Sequence, residues 1–132
     1  MAERVRRVLV IDDDNGIRDI LRRALEAAGY AVHEAPDGAA GLKRFRDEGA
    51  DLVITDIIMP EREGVETIMA LRKESPATPV FAVSGGGGGG DYLEIALKLG
   101  ARRVFPKPFR LSEVVAAVDE ALGGPKEAAG EE

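Results

Sequence analysis

The chain has 132 residues, a formal net charge of −6 and no cysteine. This length suits a single domain that can bury a hydrophobic core. The lack of cysteine excludes disulfides, thiolate metal sites and a cysteine nucleophile. Duplex binding depends on Lys and Arg side chains that neutralise phosphates, so the acidic balance predicts no direct binding to DNA.

No apolar run approaches the roughly 20 residues that a membrane-spanning helix needs. Arg4, Arg6 and Arg7 lie before the apolar run at 8–11, which is the order of a secretion signal. That run is too short for a signal peptide, however, and it ends in aspartates. We therefore expect a cytoplasmic protein with no membrane contact.

Short apolar runs alternate with helical patterns along the chain. Five runs rich in β-branched residues predict strands, at residues 8–11, 31–34, 52–55, 80–83 and 103–105. Five segments with apolar side chains at helical spacing predict helices, at residues 15–28, 39–46, 64–73, 91–99 and 112–122. This alternation predicts an α/β fold, with a doubly wound parallel sheet covered by helices on both faces.

Local signals mark several boundaries of these elements. Asp14, Asp91 and Ser112 stand where the first, fourth and fifth helices need an N-terminal cap. The run Gly85–Gly90 predicts a flexible loop, because glycine loses more backbone entropy on ordering than other residues. Residues 123–132 are rich in Gly, Pro and Glu, so we predict a flexible tail after a domain at residues 1–122.

Polar residues follow four of the predicted strands at the point where each strand ends. The first strand runs into Asp12-Asp13-Asp14, the third into Asp56 and the fourth into Ser84, while Lys107 follows the fifth. Ligands of such sheets bind beyond the carboxyl ends of the strands. We therefore expect the acids, the hydroxyl and the ammonium group to converge at one edge.

The side chains in this cluster together suit one kind of chemistry. Neighbouring carboxylates raise one another's pKa values, and a hard divalent cation such as Mg²⁺ (or Mn²⁺) offsets their repulsion. Lys107 adds a positive charge for an anionic group, and Ser84 adds a hydrogen-bond donor. An aspartate in these surroundings is a suitable nucleophile for phosphorus. The cluster therefore favours phosphoryl transfer.

Four segments resemble the motifs of the response-regulator receiver family. They are VLVIDDDNGIR, DLVITDIIMPEREG, AVSG and FPKPF, in the family order and across roughly residues 6–122. Each motif alone is weak, but four in register are specific. The resemblance implies a flavodoxin-like (βα)5 sandwich with strand order 2-1-3-4-5, as in chemotaxis regulators.

The resemblance also implies roles for individual residues. Asp56 would be the phosphorylated residue. Asp13 and Asp56 would bind Mg²⁺ together with the backbone carbonyl of Ile58, whereas Asp12 would act mainly through water. The resemblance therefore predicts a metal ion beside the phosphorylated aspartate.

Further roles concern the switch that responds to phosphorylation. Lys107 would pair with the phosphoryl group, and the Lys107–Pro108 peptide bond would be cis. Ser84 would move toward the phosphoryl group. Val104 departs from the family, which often has Tyr or Phe at that position as a rotamer switch.

By the same resemblance, the chain would be a stand-alone receiver of a two-component phosphorelay, a signalling domain that is not usually classed as an enzyme. A histidine kinase, a phosphotransfer protein or a small donor such as acetyl phosphate would supply the phosphoryl group. Output would pass to a downstream protein through the face of the fourth helix, fifth strand and fifth helix.

Other functions compete with this interpretation. A phosphatase of the haloacid dehalogenase type would use Asp12 as nucleophile with Asp14 beside it, but it needs an acidic pair beyond the lysine, where only Asp119 and Glu120 follow. The remaining alternatives are a receiver-like adaptor that is never phosphorylated and a flavin binder, which the 5% aromatic content disfavours. His33, the only histidine, is expected to be structural or exposed.

Overall fold

A computed structural model of the protein describes residues 4–57, 63–84 and 89–127. The strands are β1 (Arg4–Val5), β2 (Arg7–Ile11), β3 (Ala31–Ala35), β4 (Leu52–Asp56), β5 (Val80–Ser84), β6 (Arg103–Pro106) and β7 (Lys126–Glu127). The helices are α1 (Asn15–Ala27), α2 (Gly38–Glu48), α3 (Glu63–Glu74), α4 (Gly89–Lys98) and α5 (Leu111–Leu122). No helix in these ranges combines the length and apolar character that crossing a membrane requires.

Strands β2 to β6 are the five strands predicted from the sequence. They form one parallel sheet in the order β3-β2-β4-β5-β6. This is the predicted order 2-1-3-4-5, so the flavodoxin-like fold is confirmed. The order reverses between β2 and β4, where such sheets bind their ligands.

Each face of the sheet has its own hydrophobic core. Along β2, Val8 and Val10 belong to a core completed by α1 and α5, whereas Leu9 and Ile11 belong to a second core that includes α3 and α4. Because both faces are covered, residues 8–11 of β2 and every residue of β4 and β5 are buried. This explains why the predicted strands read as continuous apolar runs without alternation.

The cap of α1 agrees with its prediction. Asp14 has extended backbone, and its carboxylate accepts hydrogen bonds from the backbone N–H groups of Gly16 and Ile17. These donors have no partner inside the helix, so the cap stabilises the start of α1 by about 1 kcal/mol. The helix then directs the chain away from the end of β2.

Two other predicted caps are wrong. Helix α4 already includes Gly89 and Gly90, so Asp91 lies inside the helix rather than before it. Helix α5 begins at Leu111, and Arg110 occupies the cap position with no side-chain capping bond. The earlier start lets Leu111 pack against the core between α5 and the sheet. The remainder of the glycine run, residues 85–88, lies outside the described residues.

The chain termini meet in a short antiparallel pair. Strand β1 pairs with β7, and the backbone N–H of Arg6 donates to the carbonyl of Pro125 at 2.8 Å. Within the segment predicted as a flexible tail, residues 125–127 thus bond to the N-terminal strand, while the flexibility of the tail stays a prediction. Residues 128–132 lie outside the described part of the chain.

Candidate functional site: an acid pocket at the carboxyl end of the sheet

Three carboxylates and one ammonium group meet beyond the carboxyl ends of β2, β4 and β6. One oxygen from each of Asp12, Asp13 and Asp56 lies within 4.8 Å of the others. Lys107 Nζ donates to Oδ2 of Asp12 at 3.0 Å and to Oδ2 of Asp56 at 3.1 Å. The structure thus brings together the acids and the lysine that the strand ends were predicted to deliver.

Burial sets the electrostatics of this pocket. Asp12 and Asp56 are buried, whereas Asp13 is exposed. Burial raises the pKa of Asp12, and the charge of Asp56 adds to this, against hydrogen bonds from the Asp14 N–H and Lys107. Burial alone would lower the pKa of Lys107, but its bonds and charge interactions with Asp12 and Asp56 raise it overall. Lys107 is therefore a fixed positive charge.

Ser84 contributes a hydroxyl group with unused hydrogen-bonding capacity. The residue is only 2% exposed, and its Oγ has no hydrogen-bond partner among residues 4–57, 63–84 and 89–127. Its backbone carbonyl is occupied, since it accepts from the Lys107 N–H at 2.6 Å. Leaving a buried hydroxyl unpaired costs about 1–3 kcal/mol. The hydroxyl at the end of β5 is therefore poised to bond an incoming oxygen.

The backbone around Asp12 is held by several hydrogen bonds. Arg18 donates from Nη1 to the carbonyl of Asp12 at 2.6 Å and also pairs with Glu34 at 3.3 Å. The Asp14 N–H donates to Asp12 Oδ1 at 2.9 Å, and the Asp12 N–H donates to the carbonyl of Ala35 at 3.1 Å. The N–H, the carbonyl and the carboxylate of Asp12 are therefore each held by a hydrogen bond within the protein.

Gly64 is a positioning residue that the sequence analysis did not single out. A Cβ at this position would lie 2.4 Å from Ile57 Cα and 2.5 Å from the carbonyl oxygen of Asp56. Helix α3 can therefore approach the backbone that follows β4 only because residue 64 has no side chain. The available signal was a glycine at the start of a predicted helix, where it has poor helix propensity and usually a packing reason.

The remaining predicted site residues lie around the pocket. The Lys107–Pro108 peptide bond is cis, in agreement with the prediction. Val104 pairs with Ala82 across β5 and β6 and packs, half-buried, against the core of the α3 and α4 face. Ile58, whose carbonyl was predicted to bind the metal, lies outside the described residues. The roles of Ser84 and Val104 in switching stay predictions.

The acids that a dehalogenase-type phosphatase would need are engaged elsewhere. Asp14 caps α1 through its carboxylate and does not belong to the acid cluster. Asp119 accepts a hydrogen bond from the Tyr30 hydroxyl at 2.5 Å, on the α5 side of the molecule. In the described residues, the acid cluster around Asp12 thus consists of Asp13 and Asp56 and includes neither Asp14 nor Asp119.

The acid cluster is consistent with a divalent metal site. Mg²⁺ and Mn²⁺ prefer carboxylate, carbonyl and water oxygens, and Mg²⁺ usually takes one or two carboxylates while keeping several waters. Asp12, Asp13 and Asp56 supply such oxygens at mutually close positions. A cation there would offset the repulsion between two buried carboxylates that share one lysine.

Comparison with protein families gives a match over most of the chain. Residues 8–119 match the model of the response regulator receiver domain. The DNA-binding transcriptional regulator NtrC of Bradyrhizobium sp. is 38% identical over 91% of this chain and 25% of its own length. The transcriptional regulatory protein CpxR of Escherichia coli is 36% identical over 85% of this chain and 47% of its own length. The chain thus spans a quarter to about half of these relatives.

Solved structures show the same similarity. A receiver domain protein from Clostridium thermocellum superposes with a TM-score of 0.83 at 30% identity, covering 90% of this chain and 95% of that one. The chemotaxis protein CheY4 of Vibrio cholerae gives a TM-score of 0.80 at 27% identity, covering 90% and 100%. The similarity therefore covers about nine-tenths of the chain.

Proposed function

The chain belongs to the response-regulator receiver family, and we propose that Asp56 accepts a phosphoryl group here. The observation that carries this proposal is the position of Asp56 at the end of β4, bonded to Lys107 and close to Asp12 and Asp13. Asp56 combines three features. Its carboxylate can act as the nucleophile, the ammonium group of Lys107 bonds to it, and Asp12 and Asp13 lie close enough to hold a cation with it. Asp12 has the same lysine, but Arg18 and the Asp14 N–H already hold it in place.

In the proposed reaction, an Asp56 carboxylate oxygen attacks phosphorus and forms an acyl phosphate. The bond from phosphorus to the donor breaks as the new bond forms. The donor leaves as a histidine, which takes a proton, or as acetate when acetyl phosphate is used. The transfer needs no proton from Asp56, so the residue reacts as the carboxylate.

Two side chains would stabilise the transferred group. Lys107 lies 3.1 Å from Asp56 Oδ2, within reach of a phosphoryl oxygen that Asp56 would carry. The Ser84 hydroxyl, which is buried and has no partner in the part of the chain that the structure describes, can donate to another such oxygen. When bound, Mg²⁺ would supply positive charge to the carboxylates and phosphoryl oxygens. Asp12 and Asp13, with Asp56, are the residues that would hold it.

The wider role follows from family membership and is part of the same proposal. A histidine kinase or a phosphotransfer protein would donate the phosphoryl group in the cytoplasm. The face of α4, β6 and α5 would contact a downstream protein. The chain would catalyse its own phosphorylation and dephosphorylation as a signalling domain rather than as an enzyme with a separate substrate.

Intact-mass analysis with acetyl phosphate and Mg²⁺ tests the proposal. We expect one phosphoryl adduct, mapped to Asp56, that is lost in Asp56→Asn and strongly reduced by a chelator. Asp47→Asn is the matched control, because Asp47 lies on the exposed surface of α2 and pairs with Lys43. An adduct on Asp12, or an adduct that persists in Asp56→Asn, would contradict the assignment.

A further inference from the structure

Two neighbouring arginines before and in β6 lack an acidic partner. No ion pair or hydrogen bond joins the Arg102 or Arg103 side chain to an acceptor in the described residues, and the Arg103 guanidinium instead lies 5.2 Å from the centre of the Phe105 ring. Most other described arginines bond to an oxygen of the chain: Arg4, Arg6, Arg7, Arg18, Arg22, Arg23, Arg44, Arg46 and Arg72. In a chain of net charge −6, this pair is an unusual local excess of positive charge.

The two arginines border a cavity between the amino ends of β5 and β6 and the last turns of α5. Its volume is about 210 Å³, and its lining is Phe81, Arg102, Arg103, Ala117, Glu120 and Ala121. The small side chains of α5 leave this space, and the buried ring of Phe81 forms its apolar floor. Typical small-molecule sites measure roughly 300–1,000 Å³. The cavity therefore suits an inserted side chain better than a cofactor.

The chemistry of the lining selects the kind of occupant. The apolar floor matches a Leu, Ile, Met or Phe side chain, and the two guanidinium groups at the rim match a carboxylate, which Arg can bind through two parallel hydrogen bonds. Glu120 on the same rim and the overall negative charge oppose a polyanion such as nucleic acid. A protein segment with alternating acidic and apolar side chains meets both requirements.

We propose that this cavity is a docking site for a protein segment that places a bulky apolar side chain beside an Asp or Glu. The apolar side chain enters between Phe81 and the alanines of α5, and the carboxylate binds Arg102 and Arg103. Arg103 is held ready by its position over the Phe105 ring, which limits the side-chain entropy lost on binding. This inference rests on the proposed function in one respect: it names the chemistry of a partner that would bind the face of α4, β6 and α5.

Selection from a random library of displayed 12-residue peptides on the immobilised full chain tests the inference. We expect the enriched peptides to carry Asp or Glu next to a bulky apolar residue. With isotope-labelled protein, synthetic copies of these peptides should shift the backbone amide signals of Arg102, Arg103, Ala117 and Ala121. Arg102→Gln combined with Arg103→Gln should weaken their binding about tenfold, since two exposed charge contacts are lost.

Three controls make the outcome decisive. Arg110→Gln removes an arginine at the other end of α5 whose side chain likewise has no partner within the described ranges, and it should leave peptide binding unchanged. Asp56→Asn separates docking from phosphorylation: binding that persists in this variant supports the cavity even if phosphoryl transfer is not confirmed. Melting temperatures of the glutamine variants should match that of the unaltered chain, because both arginines are exposed.

Several results would overturn the proposal. They are selection of basic or uncharged peptides, amide shifts confined to another face, and equal binding to the double glutamine variant. Absence of any enriched peptide would count against it as well. Dimerisation of the unaltered chain in sedimentation experiments, lost in the double variant, would show that a second copy occupies this surface instead.

Discussion

The two ends of the central sheet hold similar charged groups but arrange them in opposite ways. At the carboxyl end, three carboxylates lie close together, two of them share one lysine, and a buried hydroxyl has no partner within the described part of the chain. At the amino end, two pairs join distant segments: Arg4 pairs with Asp51 at 2.8 Å, and the Tyr30 hydroxyl donates to Asp119. Arg102 and Arg103, also at this end, have no acidic partner among the described residues. The carboxyl end therefore keeps charge and hydrogen-bonding capacity for a ligand, whereas these pairs at the amino end join distant parts of the chain.

This difference separates function from stability within one domain. Buried like charges and an unpaired hydroxyl cost free energy, so the carboxyl end lowers the stability of the protein. The amino end stabilises it, because Arg6 bonds to the carbonyls of Leu122 and Gly124 and thereby ties the end of α5 to the N-terminus. Substitutions at the two ends should therefore have different consequences.

The largest effect is expected at Gly64, whose missing side chain lets α3 approach Asp56. Gly64→Ala forces a Cβ against the backbone at 2.4 and 2.5 Å, so that either α3 or the end of β4 must move. We expect a loss of about 3 kcal/mol in the free energy of unfolding, at the upper end for overpacking. Phosphoryl acceptance at Asp56 should fall too. Urea denaturation and intact-mass analysis measure the two effects.

Gly49→Ala is the matched control for this substitution. Gly49 has a φ of +74° but no atom within 4 Å of an added Cβ. The variant should lose only about 1–2 kcal/mol, through backbone strain, and keep full phosphoryl acceptance. Equal effects of the two substitutions would show that contact with Asp56 is irrelevant and that glycine flexibility alone matters.

At the amino end, Arg6→Ala should affect stability without affecting the chemistry. The substitution removes the guanidinium that bonds two carbonyls at the end of α5, and hydrogen bonds to charged groups contribute about 1.5–3 kcal/mol. We expect a loss of about 2 kcal/mol with an unchanged yield of phosphorylated Asp56 in folded protein. Arg23→Ala, an exposed arginine on α1, should change stability by less than about 0.5 kcal/mol. A reduced phosphoryl yield in Arg6→Ala would mean that the two ends are coupled.

Mg²⁺ should stabilise the protein, because it would bind the acid cluster at the carboxyl end of the sheet. An ion that binds only the folded state at ten times its dissociation constant adds about 1.4 kcal/mol to the free energy of unfolding. We expect Asp13→Asn to lose most of this gain, whereas Arg6→Ala should keep it, because Asp13 belongs to the acid cluster. Thermal unfolding across a Mg²⁺ titration measures the effect. An equal gain in Asp13→Asn would place the ion elsewhere.

The carboxyl end was much easier to predict from the sequence than the amino end. Each reactive residue there follows its own strand, as Asp56 follows 52–55, so parallel strands alone predict that they meet. Within the pocket, the sequence did not reveal Gly64, since its importance depends on how closely α3 approaches β4. It also did not reveal the unpaired state of Ser84 Oγ, which depends on side-chain geometry.

The amino end depends on pairings between distant parts of the chain. Composition predicted a flexible tail from residue 123, because Gly123, Gly124 and Pro125 have no local tendency to form a strand. The N-terminal strand β1 supplies the partner for β7 across more than a hundred residues, as the pairing of Arg4 with Glu127 shows. The start of α5 was misplaced for a related reason. Ser112 is the better local cap, but packing of Leu111 on the core fixed the boundary.

The smallest effect is expected at His33, which interacts with the charges of Arg44 and Glu48. Burial lowers the pKa of His33 below 6.5, and the charge of Arg44 adds to this, although Glu48 lies 2.5 Å from Nδ1 and opposes it. The folded protein therefore resists protonation of this ring. Its contribution to stability is present above pH 6.5 and is lost as the pH falls through that value toward the lowered pKa.

Because His33 is the only histidine, its ring proton signal can be followed by NMR without ambiguity. We expect a midpoint below 6.5 in the folded protein, and a higher midpoint in Arg44→Gln, which removes a charge that disfavours the imidazolium. Glu48→Gln should shift the midpoint the other way, because it removes the opposing carboxylate. A midpoint above 6.5 would mean that Glu48 dominates over burial, so that His33 would stabilise the amino end as a cation rather than as a neutral ring.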